Sequence, residues 1–113
     1  MNVTRVAESA WGLIQTSPDT FDYEWLDDYL EDAEEAGLKS ILGTSTYVPP
    51  IWLVSEHPDI ITVREGQRDY PLTKKNPDIT HPIYQKTALQ YIRKMGSRYR
   101  NHPNVLGWQL DNE

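Results

Sequence analysis

Between Asp22 and Gly37 the apolar positions return at helical spacing. Trp25, Leu26, Tyr29, Leu30, Ala33 and Ala36 fall on one face, while Asp27, Asp28, Glu31, Asp32, Glu34 and Glu35 occupy the other. Asp22 is a candidate cap, since its side-chain oxygen can accept from the free backbone N–H groups of the first turn. Gly37 supplies the left-handed residue that commonly follows a helix. A second periodic segment begins near Thr80 with Pro82 in its first turn. Tyr84, Ala88, Tyr91, Ile92, Met95 and Tyr99 form its apolar stripe. Its other face carries Lys86, Arg93, Lys94, Arg98 and Arg100, weighted toward the carboxyl end, where they oppose the helix dipole. Both charged faces read first as solvated surface, and their opposite signs would also suit adjacent helices.

Three short runs lack this period. Asn2–Ala7, Lys39–Thr44 and Val105–Leu110 are apolar or β-branched and read as strands. Glu8 to Thr20 contains Gly12 and Ser17-Pro18-Asp19, which are turn signals. From Ser45 to His81 the pattern is irregular. Pro49-Pro50-Ile51-Trp52-Leu53 suits a short helix, and Ile60–Val63 with Arg68–Tyr70 suits a hairpin around Glu65-Gly66-Gln67. The order is strand, helix, strand, long loop, helix, strand. With right-handed crossovers it predicts three parallel strands with helices on the outside.

The chain has 113 residues, enough for one domain with a core. Its net charge of -6 argues against a nucleic-acid partner, which would select a basic face. No apolar run approaches the ~20 residues needed to span a bilayer, so no membrane is expected. The start, Met1-Asn2-Val3-Thr4-Arg5, lacks the features of a secretory signal, and a cytoplasmic location fits. There is no cysteine, hence no disulfide framework and no thiolate metal site. Neither a metal nor another cofactor is expected.

Ligands of parallel α/β folds bind beyond the carboxyl ends of the strands. Three such ends are visible: Glu8 with Trp11, Thr44 to Thr46, and Asn112-Glu113. A carboxylate at a strand tip can serve as a general acid, and glycoside hydrolysis needs two of them. By pattern alone, Glu113 is more often a solvated carboxylate.

Longer stretches sharpen this. Asn2 to Trp11 (NVTRVAESAW), Phe21 to Asp27 (FDYEWLD), Ile41 to Thr46 (ILGTST), Pro49 to Leu53 (PPIWL), His57 to Ile60 (HPDI) and His102 to Glu113 (HPNVLGWQLDNE) resemble, in order, blocks of glycoside hydrolase family 42. The resemblance implies a partial (β/α)8 TIM barrel, with residues 1–113 supplying about strands 2 to 4 and their helices from the amino-terminal half of the catalytic domain. It implies a retaining hydrolase acting on terminal β-galactosides, with a β-galactoside or oligosaccharide as substrate. Glu113 matches the proton-donating glutamate, and Asn112 the asparagine that contacts the sugar 2-hydroxyl. Glu8, Trp11 and Trp108 match positions near the cleft, where packing is at least as good a reading. Lys74 stands where many members place an arginine against the galactosyl group, and lysine lacks the planar fork. The cysteines that bind zinc in some members are missing from this stretch.

A whole barrel takes about 250 residues and eight strands. A fragment of a longer enzyme is therefore expected, its nucleophile lying on a later strand. The 113 residues alone are expected not to hydrolyse glycosides. Whether the parent enzyme is a homo-oligomer stays open. So do two other readings: another retaining barrel glycosidase of mannanase, cellulase or β-glucosidase type, and a non-catalytic carbohydrate-binding remnant.

Overall fold

The computed structural model describes residues 2–61, 63–64, 67–68 and 77–110. Its frame is a three-stranded parallel sheet made of β1 (Val3–Val6), β4 (Lys39–Gly43) and β7 (Val105–Gln109), in the order β1-β4-β7. Between β1 and β4 the chain forms a short helix α1 (Trp11–Ile14), a small antiparallel pair β2 (Gln15–Ser17) and β3 (Thr20–Phe21), and the long helix α2 (Glu24–Glu35). Between β4 and β7 come α3 (Ile51–Glu56), a 3-10 turn (Pro58–Ile60), a hairpin of β5 (Val63–Arg64) and β6 (Gln67–Arg68), and helix α4 (Pro82–Tyr99).

The expected α/β order holds, and its details are settled at the helix starts and in the hairpin. Asp22 accepts at 3.1 Å from the N–H of Glu24, the first residue of α2, as expected of a cap, although Tyr23 occupies the capping position and its side chain makes no capping bond. Thr80 bonds Asp78, and α4 is capped by His81, whose Nδ1 accepts from the N–H groups of Ile83 and Tyr84. In the hairpin, Ile60 belongs to the 3-10 turn and Gln67 to a strand, so pairing starts later than the β-branched run suggests. Gly37 does adopt the left-handed conformation, with φ of 76°.

One face of the sheet is covered. Val6, Leu42 and Trp108 lie in register and join α2 and α4 through Leu26, Leu30, Tyr84, Ala88, Tyr91, Met95 and Tyr99. Burying a large apolar side chain stabilises by roughly 1.5–3 kcal/mol. Helix α4 buries Tyr84, Ala88, Tyr91, Met95 and Tyr99, whereas α2 buries Leu26, Leu30 and Ala33, and Ala36, expected on its stripe, is exposed just past the helix. The opposite charges of α2 and α4 do meet. Arg98 forms an ion pair with Asp27 and stacks over the Tyr23 ring at 4.4 Å, while the Tyr99 hydroxyl donates to Asp27 at 2.7 Å.

The other face carries Arg5, Ile41 and Gly107 in one row, with Gly43 and Gln109 in the next. A bulge creates that arrangement. Ser40 pairs with Val105 but Ile41 pairs with Gly107, so Leu106 is the extra residue and side-chain direction inverts after it. Without the bulge, alternation would turn Gln109 toward the helices.

Candidate active site at the carboxyl end of the sheet

The strand ends are built from tight backbone. Ala7 and Ser9, just beyond β1, and Ser45, beyond β4, have φ of 67°, 58° and 51°. Left-handed backbone is unfavourable for residues with a Cβ and is held only where surrounding contacts fix it. Here the Ser45 hydroxyl donates to the Ala7 carbonyl at 3.2 Å, and the Thr44 N–H donates to the Gln109 carbonyl at 3.1 Å. The Tyr84 hydroxyl donates to the Thr46 carbonyl at 2.9 Å. Thr44, Ser45 and Thr46 are all buried. They frame the strand tips.

Over this frame runs a polar cluster. The Arg5 guanidinium donates to the Gln109 side-chain oxygen at 2.7 Å and pairs with Glu8 at 2.8 Å. The Tyr47 hydroxyl donates to the other Glu8 oxygen at 3.4 Å and lies 3.5 Å from the Ser9 hydroxyl. Residues of all three strands or the loops after them are thereby joined. Arg5 and Glu8 keep 49% and 35% of their side-chain surface, so no described element covers the cluster. Beside it opens a shallow groove lined by Ser9, Leu13, Val48, Pro49, Ile51 and Trp52. Charged and hydroxyl groups next to an apolar wall match the two faces of a sugar ring, which offers hydroxyls at its rim and C–H groups on its faces.

The expected site residues fall into three groups. Glu8 belongs to the cluster. Trp11 does not: it is fully buried, stacked on Tyr91 with ring centroids 5.4 Å apart, and its indole N–H donates to Gln15 at 2.8 Å. Trp108 turns to the helix face and packs against the core. Both tryptophans are packing residues. Lys74, Asn112 and Glu113 lie outside the described residues. Sequence reasoning missed Arg5, Tyr47 and Gln109. The signal for the first was available, since an arginine alternating with Thr4 and Val6 in a strand faces away from the core.

Among the described residues no group of three or more His, Asp or Glu side chains is placed to hold a metal ion. Among them, too, no helix is long and apolar enough to cross a membrane.

Comparison with known proteins places this geometry. The family model of glycoside hydrolase 42, described as beta-galactosidase, matches residues 1–113. The chain belongs to glycoside hydrolase family 42. A beta-galactosidase of Clostridium cellulovorans is 34% identical over 114 residues, covering 100% of this chain and 17% of the relative. One from Thermus thermophilus is 36% identical over 110 residues, covering 96% of this chain and 17% of the relative. The crystal structure of the beta-galactosidase from Bacillus circulans sp. alkalophilus superposes with a TM-score of 0.90 at 30% identity, over 100% of this chain and 17% of that one. The chain thus spans about 17% of the length of these relatives. Its parallel α/β architecture is consistent with a partial barrel.

Proposed function

We propose that residues 1–113 form part of the catalytic barrel of a retaining β-galactosidase, contributing about its second, third and fourth strands. The observation that carries this reading is the convergence of three strand ends on one open polar cluster, from which β7 leads directly into Asp111-Asn112-Glu113. The kinship with beta-galactosidases supplies the substrate class.

In this mechanism Glu113 protonates the glycosidic oxygen as the bond to the aglycone breaks. A carboxylate from a later strand attacks the anomeric carbon, forming a glycosyl-enzyme. Glu113, now ionised, takes a proton from water, which attacks the same carbon and releases the sugar with its configuration retained. Asn112 bonds the sugar 2-hydroxyl, a contact that strengthens as the oxocarbenium-like transition state develops. Lys74 offers the galactosyl hydroxyls a point charge in place of an arginine fork.

The test is Glu113→Gln in the full-length protein. Loss of general acid catalysis typically costs about 10²–10⁴-fold, so hydrolysis of nitrophenyl β-galactoside should fall within that range. Unchanged hydrolysis would refute the assignment.

A further inference from the structure

The Arg5–Gln109 contact joins the two outer strands of the sheet across the middle one. Arg5 pairs in register with Ile41 and Gly107, while Gln109 pairs with Gly43 one row further toward the carboxyl ends. The guanidinium therefore reaches diagonally over β4. On this face Gly43 and Gly107 carry no side chains, and a Cβ added at Gly107 would meet nothing within 4 Å. Two features commit the chain to this contact. The bulge at Leu106 turns Gln109 onto the face of Arg5, and the ion pair with Glu8 fixes the guanidinium from its other side.

We propose that Arg5 and Gln109 form a cross-brace that positions the acid/base glutamate. Both are positioning residues. Gln109 is the last residue of β7, four positions before Glu113. Beside the backbone pairing with β4, the brace adds a side-chain attachment at the carboxyl end of β7. A general acid must lie within hydrogen-bond reach of the leaving oxygen in the transition state, so a small displacement of the strand end weakens protonation. The inference rests on the reading of Glu113 given above.

The consequence is specific to the leaving group. Departure of dinitrophenolate needs little protonation, whereas departure of an alkoxide needs a proton almost fully transferred. In the full-length enzyme, Gln109→Met keeps side-chain length but removes the acceptor. It is expected to lower kcat/KM on methyl β-galactoside by about 10-fold or more while changing that on dinitrophenyl β-galactoside by less than about threefold. Arg5→Lys, which loses the fork, should show the same bias, and the double variant should lose little more than either single one. Gln109→Glu keeps an acceptor for Arg5 and should recover most of the alkyl activity, which separates lost positioning from lost folding. Equal losses on both substrates, or none on either, would overturn the brace. Glu113→Gln is the reference. If it shows no leaving-group bias, the acid/base reading fails; if it does and Gln109→Met does not, only the brace fails.

Discussion

Tyr91 is the most closely enclosed phenol in the core. Its ring stacks on Trp11, yet its hydroxyl has no hydrogen-bond partner among the described residues, and burial pushes its pKa far up. A buried hydroxyl without a partner costs roughly 1–3 kcal/mol, whereas the ring supplies the packing. Tyr91→Phe should therefore leave the full-length protein as stable as the parent or raise its urea midpoint. Trp11→Ala should lower stability by about 3–5 kcal/mol, because it opens a cavity and strands Gln15. A drop in the urea midpoint for Tyr91→Phe would show the hydroxyl to be paired. The two residues illustrate what single positions reveal. Tyr91 was legible as core from helical spacing, but Trp11 was not, because four residues of α1 are too few to show a period. Its place beside Glu8 at a strand end invited a cleft role that stacking on Tyr91 excludes.

Helices α2 and α4 are held together by more than their apolar stripes. Burial alone would raise the Asp27 pKa, but hydrogen bonds from Arg98 and Tyr99 overcome it and hold the carboxyl below its ordinary value of 3.8. A depressed folded-state pKa means the contact stabilises fully above the unfolded value and loses its contribution as pH falls through the folded one. Asp27→Asn should thus be less stable than the parent at neutral pH. The gap should close as pH drops from about 4 downward, which urea titrations at stepped pH would show. A gap independent of pH would mean that packing, not charge, links the helices. The opposite charge of the two faces was readable in the sequence, although only the fold shows which pair meets. Caps were harder. Asp22 reaches the first N–H of α2 from one residue before the capping position, whereas His81, whose ring nitrogen caps α4, was not singled out in the sequence. The β2–β3 pair was read only as a turn because its strands are three and two residues long.

At the scale of the molecule, strand order and direction followed from the alternation of strands with long helices, since a parallel neighbour requires a crossover. The face on which Gln109 sits did not follow, because the bulge at Leu106 leaves no mark in the hydrophobic pattern of β7. The place of Gln109 in the polar cluster was therefore hidden, while the family kinship of the chain was plain in the block ending at Glu113. The same topology yields a prediction about the 113 residues taken alone. Among the described residues both β1 and β7 have an unpaired side, and Leu106 and Leu110 are 64% and 79% exposed at the β7 side. Unpaired backbone beside apolar side chains recruits further strands, so these residues expressed by themselves should associate in a concentration-dependent way. They should also fail to hydrolyse nitrophenyl β-galactoside, because the proposed mechanism takes its nucleophile from a later strand. Sedimentation velocity across a concentration series, run beside an activity assay, tests both parts. A monomer at every concentration would show that the edges are protected, and Glu113-dependent turnover would show that a second carboxylate of this chain completes the pair.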